Sequence, residues 1–142
     1  MTDVISAEET MTARAGVAAG EAPPFSVDIQ SEYDLCAQTW RHHLWVNITL
    51  SIRTSGLLAA LGPENLHTLI TLATYTDTKG VCAAREEDVA ADLRVDRSIA
   101  IRRLHTLCAF RWDGRPLVTR TRAADGRWIY TINQGGLIPG GH

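Results

Sequence analysis

Eight arginines, Arg97, Arg102, Arg103, Arg111, Arg115, Arg120, Arg122 and Arg127, fall within thirty-one residues that hold only Asp113 and Asp125 as acids, a net charge of +6. Guanidinium groups at this density suit phosphate, which they meet with charge and with a fork of N–H donors. The first eighty residues are the reverse, with four cations against nine acids and a net charge of −5. The formal total of −2 therefore hides a polar distribution and argues against a chain that coats nucleic acid indiscriminately. Thirteen of the fourteen cations are arginine, a bias that explains the choice of arginine over lysine but not its clustering.

Other reactive side chains form weaker patterns. Glu86-Glu87-Asp88 is a run of carboxylates that reads as the acidic first turn of a helix rather than as acid–base machinery. His105 and Cys108, three apart, could touch one metal, with Cys36, His42 and His43 as further ligands. No paired Cys-x-x-Cys spacing supports a metal site, and Cys108 falls on an apolar stripe where a cysteine acts as a small hydrophobe. Tyr130 is a conceivable nucleophile, but it lies in an alternating strand and reads as packing. No phosphate loop, nucleophile elbow, His-Glu-x-x-His or dinucleotide fingerprint occurs, so neither a catalytic residue nor a cofactor is expected. Trp40-Arg41-His42-His43-Leu44-Trp45 interleaves aromatics with cations, a pattern that can stack bases and more often caps a small core. With Trp112 and Trp128 it supports a weaker expectation of single-stranded nucleic-acid binding.

The elements that must carry these residues follow from periodicity. In Arg85–Phe110, Val89, Ala90 and Leu93 repeat at helical spacing and predict a helix ending near Leu93. Arg94-Val95-Asp96 supplies a turn whose aspartate is placed to cap a second helix from Arg97 to Phe110. On that helix Ala100, Ile101, Leu104, Leu107 and Cys108 make the core stripe. Ser98, Ile99, Arg102 and Thr106 lie opposite, flanked by Arg103 and His105. Such an outward face suits a DNA major groove.

Upstream, residues 1–24 read as a mobile tail with a possible short helix from Ser6 to Ala19, and residues 25–54 as a lead-in and strand extension. Phe25 to His43 fits either a short helix from Glu32 to Arg41 or an irregular segment. Leu44 to Ile52 alternates over nine residues and predicts a strand, which must pair with the C-terminal hairpin or with a second copy of the chain. Leu57–Leu61 makes a short apolar turn or helix ended by Gly62. A core helix from Pro63 to Thr76 follows, closed by Asp77-Thr78-Lys79-Gly80. Val81–Ala83 fits a short strand and Asp113-Gly114 a turn. Leu117–Arg122 and Arg127–Asn133 fit a hairpin around Asp125-Gly126, and residues 134–142 a flexible tail.

The resulting order, α+β with three helices and a terminal hairpin, resembles a winged helix-turn-helix domain over residues 55–133 with an N-terminal strand extension. SGLLAALGPENLHTLITLATYTDTKGVC followed by EEDVAADLRVDRSIAIRRLHTL is similar to the DNA-binding domains of plasmid- and phage-type replication initiators and mobile-element regulators. The resemblance implies a non-enzymatic double-stranded DNA-binding protein acting in transcriptional regulation or replication initiation. It implies base contacts from Ser98, Arg102 and Thr106, and phosphate contacts from Arg97, Arg103, Arg120, Arg122 and Arg127. The chain departs from the pattern at Arg85, where a serine or threonine cap is usual, at Arg94, where glycine is usual, and at Ile99, where a polar residue is usual. Arg94 fits if its φ is negative. Ile99 suits either a thymine methyl or, with Trp40 and Trp45, a protein interface. The alternative function is accordingly an interaction module, an accessory subunit of a larger nucleoprotein complex or a mobile-element inhibitor.

At 142 residues and 45 % hydrophobic content, one domain with tails is expected. Three widely spaced cysteines and no secretory or membrane-spanning run suggest reduced thiols and a cytoplasmic location. The unpaired strand and the two-fold habit of such regulators suggest a homodimer.

Overall fold

The computed structural model describes residues 23–133. The expected tails at 1–24 and 134–142, with the possible helix at Ser6–Ala19, lie outside these residues apart from Pro23 and Pro24. Those two prolines are pinned rather than mobile. Thr49 donates its amide to the Pro24 carbonyl at 3.1 Å and its hydroxyl to the Pro23 carbonyl at 3.0 Å.

The chain then forms β1 (Phe25–Asp34), β2 (Thr39–Ile48), α1 (Ser51–Thr54), α2 (Leu57–Ala73), β3 (Val81–Cys82), α3 (Glu86–Leu93) and α4 (Arg97–Ala109). β4 (Arg111–Trp112), β5 (Arg115–Pro116), β6 (Val118–Arg122) and β7 (Trp128–Ile132) complete it. The architecture is α+β with antiparallel sheets: β1 with β2, β4 with β5, and a three-stranded sheet in the order β3-β7-β6.

The N-terminal region overturns two expectations. Phe25 to Asp34 is neither helix nor irregular lead-in but a ten-residue strand paired along its whole length with β2. β2 in turn begins at Thr39 and ends at Ile48, so its partner is β1, not the C-terminal hairpin or a second chain. Asp34 Oδ1 accepts the amides of Cys36 and Ala37 at 2.9 and 3.1 Å, and Gln38 takes a positive φ of 55°, which closes the reversal. The strand does not reach Ile52 because Leu50 turns helical, and Ile52 enters the core from α1.

Local chemistry shapes the helices as expected, with two corrections. Gly62 interrupts α2 at φ 78° and ψ 168°, a conformation nearly reserved for glycine, so Pro63 opens a fresh helical turn. Thr68 and Thr71, both buried, donate their hydroxyls to the carbonyls of Glu64 and His67 at 2.8 Å each, which satisfies them inside the packing. Arg94 does not keep a negative φ; it takes φ 58° and ψ 48° at the end of α3. Val95 N bonds to the Ala90 carbonyl at 3.0 Å there, a six-residue closure that normally uses glycine, and a side chain in this region costs about 1 kcal/mol. Asp96 has the extended backbone of a helix cap but its side chain makes no capping bond.

A single apolar cluster joins the elements. Val89 and Leu93 of α3 and Ala100, Leu104 and Leu107 of α4 bury their stripes against Leu57, Leu69 and Leu72 of α2. Val118, Tyr130 and Ile132 of the C-terminal sheet and Phe25 at the base of β1 join the same core. Cys108 packs half-buried at its margin, whereas Ile101, expected in the core stripe, is half-buried and not among the hydrophobics packed against the cluster. Asp113 and Gly114, both at positive φ, make the tight two-residue turn between β4 and β5.

Candidate nucleic-acid interface

Three exposed side chains on α4, Ser98, Arg102 and Thr106, repeat every fourth residue and so form one stripe along the helix. Arg102 makes no ion pair or side-chain hydrogen bond among the described residues, and Thr106 donates its hydroxyl to the Arg102 carbonyl at 2.9 Å. The stripe has two tethered flanks. On one side Arg103, only 21 % exposed, reaches Glu64 of α2 at 3.4 Å. On the other, His105 Nε2 accepts Arg120 Nη1 of β6 at 3.0 Å. His105 is therefore engaged with a guanidinium, and Cys108 behind it carries a thiol whose pKa burial pushes up, with Arg120 opposing the shift.

The five arginines expected to meet phosphate divide into two groups. Arg97 is clamped by the first turn of α3, at 2.8 Å from Glu86 and 3.2 Å from Glu87. Arg127 holds Asp125 at 2.7 Å, and Asp125 also accepts the Arg127 amide, the contact that does most to keep its carboxyl below the usual range. Arg103 has Glu64. These pairs are partly or fully open to water and individually weak, so an anion can displace them, but the carboxylates stay behind to oppose it. The sequence total of +6 thus overstates the free positive charge.

Arg120 and Arg122 form the second group. Neither faces a carboxylate within ion-pair distance among the described residues. Both instead lie on the indole of Trp128, with guanidinium carbons 4.1 and 4.3 Å from the ring centroid. The register explains this, since Arg122 pairs directly with Trp128 across β6 and β7, and Arg120 pairs with Tyr130 on the same face. Arg122 Nη1 also donates to the Gly126 carbonyl at 2.9 Å at the tip. Sequence reasoning missed Trp128 and His105 as partners of these cations. The Asp125-Gly126 turn carried the signal for Trp128, because it puts the tryptophan opposite Arg122.

Tyr130 is 1 % exposed, and its hydroxyl lacks a hydrogen-bond partner among the described residues. Burial pushes its pKa up to about 12, with nearby Arg120 offsetting part of the rise. A phenol so placed is a packing group and a poor source of phenolate. A cleft of about 380 Å³ opens between the tip of the hairpin and the start of α3, bordered by Ala84, Glu86, Arg97, Arg122 and Trp128, with acids and cations on its rim.

The expected protein-interface residues do not come together. Ile99 is half-buried rather than exposed, because it sits at the edge of the α4 stripe and not at its centre. Trp40 and Trp45 are 62 % and 53 % exposed but point to opposite faces of the β1–β2 arm, five residues apart on one strand. They cannot make one stacking platform. Trp112 and Trp128 are half-buried against the core cluster. Among the described residues no helix is long and apolar enough to cross a membrane. Compared with protein families, with curated proteins and with solved structures, the chain matches none.

Proposed function

We propose that this chain is a double-stranded DNA-binding protein with a winged helix-turn-helix architecture, in which α4 reads the major groove and β6–β7 is the wing. The observation that carries the reading is the open Ser98–Arg102–Thr106 stripe, bounded by a hairpin whose Arg120 and Arg122 have no carboxylate within ion-pair distance among the described residues. Arg102 has the reach and the paired donors to meet a guanine edge, and the wing cations supply affinity for the backbone. Regulation of transcription or initiation of replication on a mobile element is the process this serves, in the cytoplasm, where the free thiols of Cys36, Cys82 and Cys108 stay reduced. No catalytic step is part of the reading.

The test is binding of the full chain to a random pool of duplexes at several salt concentrations, repeated with Arg102→Ala. A selected sequence whose affinity falls steeply with salt, and whose preference relaxes in the variant, supports the reading. Absence of salt-sensitive duplex binding overturns it. The ground for a homodimer in an unpaired strand is gone, since β1 supplies the partner of β2. A dimer would rest on two-fold half-site spacing alone, and a solution mass of one chain on its own DNA removes it.

A second reading, an interaction module within a nucleoprotein complex, is favoured by the arm. Among the described residues all exposed large hydrophobics except Leu58 lie between Tyr33 and Leu50, with Leu35 at 81 % exposure. Co-purification from the native host, with and without Trp40→Ser, tests it: a partner retained by the variant, or none captured, counts against this reading.

A further inference from the structure

We propose that Trp128 is the positioning residue of the wing, holding Arg120 and Arg122 in the conformation that meets the phosphodiester backbone. This rests on the duplex-binding reading above. Arg122 lies directly across the ladder from Trp128 and Arg120 lies diagonally, so one indole serves both. With its central carbon 4.1 or 4.3 Å from the ring centroid, each guanidinium lies over the indole, and the N–H donors not taken up by a protein acceptor remain for phosphate oxygens. One edge donor of each is committed, Arg120 Nη1 to His105 and Arg122 Nη1 to the Gly126 carbonyl. These two bonds tether each guanidinium at a second point besides the ring.

Two like charges on one ring, with no carboxylate within ion-pair distance among the described residues, repel each other, and an anion relieves that repulsion. Arg97, Arg103 and Arg127 lack this feature because each already faces an acid. The bond to His105 on α4 also fixes the distance between the wing cations and the Ser98–Arg102–Thr106 stripe. Base-reading helix and backbone-binding hairpin are thereby presented as one preformed surface, so the long arginine side chains lose less freedom on binding.

The test is a set of duplex-affinity measurements on the full chain at several salt concentrations, comparing wild type, Trp128→Phe, Trp128→Leu and Arg120→Ala/Arg122→Ala. The last variant is also combined with Trp128→Leu. We expect Trp128→Leu to weaken binding by about tenfold and Trp128→Phe by about two- to threefold, since phenylalanine keeps a ring face and leucine does not. In the double-alanine background, Trp128→Leu should cause no further loss. Equal losses with leucine and phenylalanine overturn the inference. So does a leucine effect that persists without the two arginines, which would mark a purely structural role, or wild-type affinity in Trp128→Leu. Each of these leaves duplex binding itself intact, whereas a wild-type chain without salt-sensitive binding removes the function and this inference together.

Discussion

Two hairpins of the same molecule handle their aromatic side chains in opposite ways. The β1–β2 arm has ten residues in each strand, and only its base enters the core. Phe25 is fully buried and Val27 nearly so, while Tyr33 and Trp40, edge to face at 5.4 Å near the tip, stay exposed on the same face. Ser31 and His42 share a hydrogen bond of 2.8 Å between these two zones. The opposite face carries the ties Asp28–Asn47, Glu32–His43 and Asp34–Arg41. The β6–β7 hairpin has only five residues in each strand, yet it puts Val118, Tyr130 and Ile132 into the core and covers Trp128 with two arginines. The difference is a matter of neighbours. β7 has β3 on its other edge and its partner β6 has α4 beside it, whereas among the described residues β1 and β2 pair only with each other. Two strands without a third element are stable only where something else buries them.

The largest effect that separates the two should come from within the arm. Phe25→Ala removes a fully buried ring and should cost about 3–5 kcal/mol, whereas Trp40→Ala at the exposed tip should cost less than about 1 kcal/mol. Chemical denaturation of both variants measures this, and equal costs would show that the tip is as well packed as the base. The next largest should appear in duplex binding. Arg120→Ala/Arg122→Ala should lower the slope of log affinity against log salt by about 1.8, for two lost phosphate contacts, while Tyr33→Ala/Trp40→Ala leaves the slope unchanged. A slope that responds to the arm instead would move the backbone contact there.

Alkaline pH should act on the C-terminal hairpin. The Tyr130 phenol titrates near 10 when unfolded and is held at about 12 when folded, so stability is level below about pH 9 and falls between about 10 and 12. Tyr75, whose hydroxyl donates to Asp92, is also raised to about 12, first by that bond, and adds a fall of the same sign where α2 meets α3. Unfolding followed against pH in wild type and Tyr130→Phe should show a shallower alkaline fall in the variant. The smallest effect belongs to the same substitution at neutral pH. Removing a buried hydroxyl that has no hydrogen-bond partner among the described residues should leave stability unchanged or raise it by up to about 1 kcal/mol, and a clear loss would show that the hydroxyl has a partner in solution, with the nearby Arg120 guanidinium first in line.

Much of this contrast was legible before folding, though unevenly. The C-terminal hairpin announced itself through alternation on both sides of Asp125-Gly126. The arm's first strand was open to reading only at its start, because Phe25, Val27 and Ile29 alternate with Ser26, Asp28 and Gln30, but polar Ser31 takes the next position on the apolar face. Ile52 continued the period-two pattern of β2 by coincidence, since the chain turns helical at Leu50 and Ile52 is buried from α1 rather than from the strand.

What the sequence determined by itself is what depends on neighbours a few residues away. The α3 and α4 stripes, the break at Gly62, the turns at Asp77–Gly80 and Asp113-Gly114, and the crowding of arginine after Arg97 all belong to that class. Tertiary structure decided which of those arginines face a carboxylate. Arg97 meets Glu86 eleven residues back and Arg103 meets Glu64 thirty-nine back, while Arg120 and Arg122 meet an indole and an imidazole. Charge counts along a chain add without regard to distance, but Coulomb energy and stacking depend on a few ångströms that only packing sets.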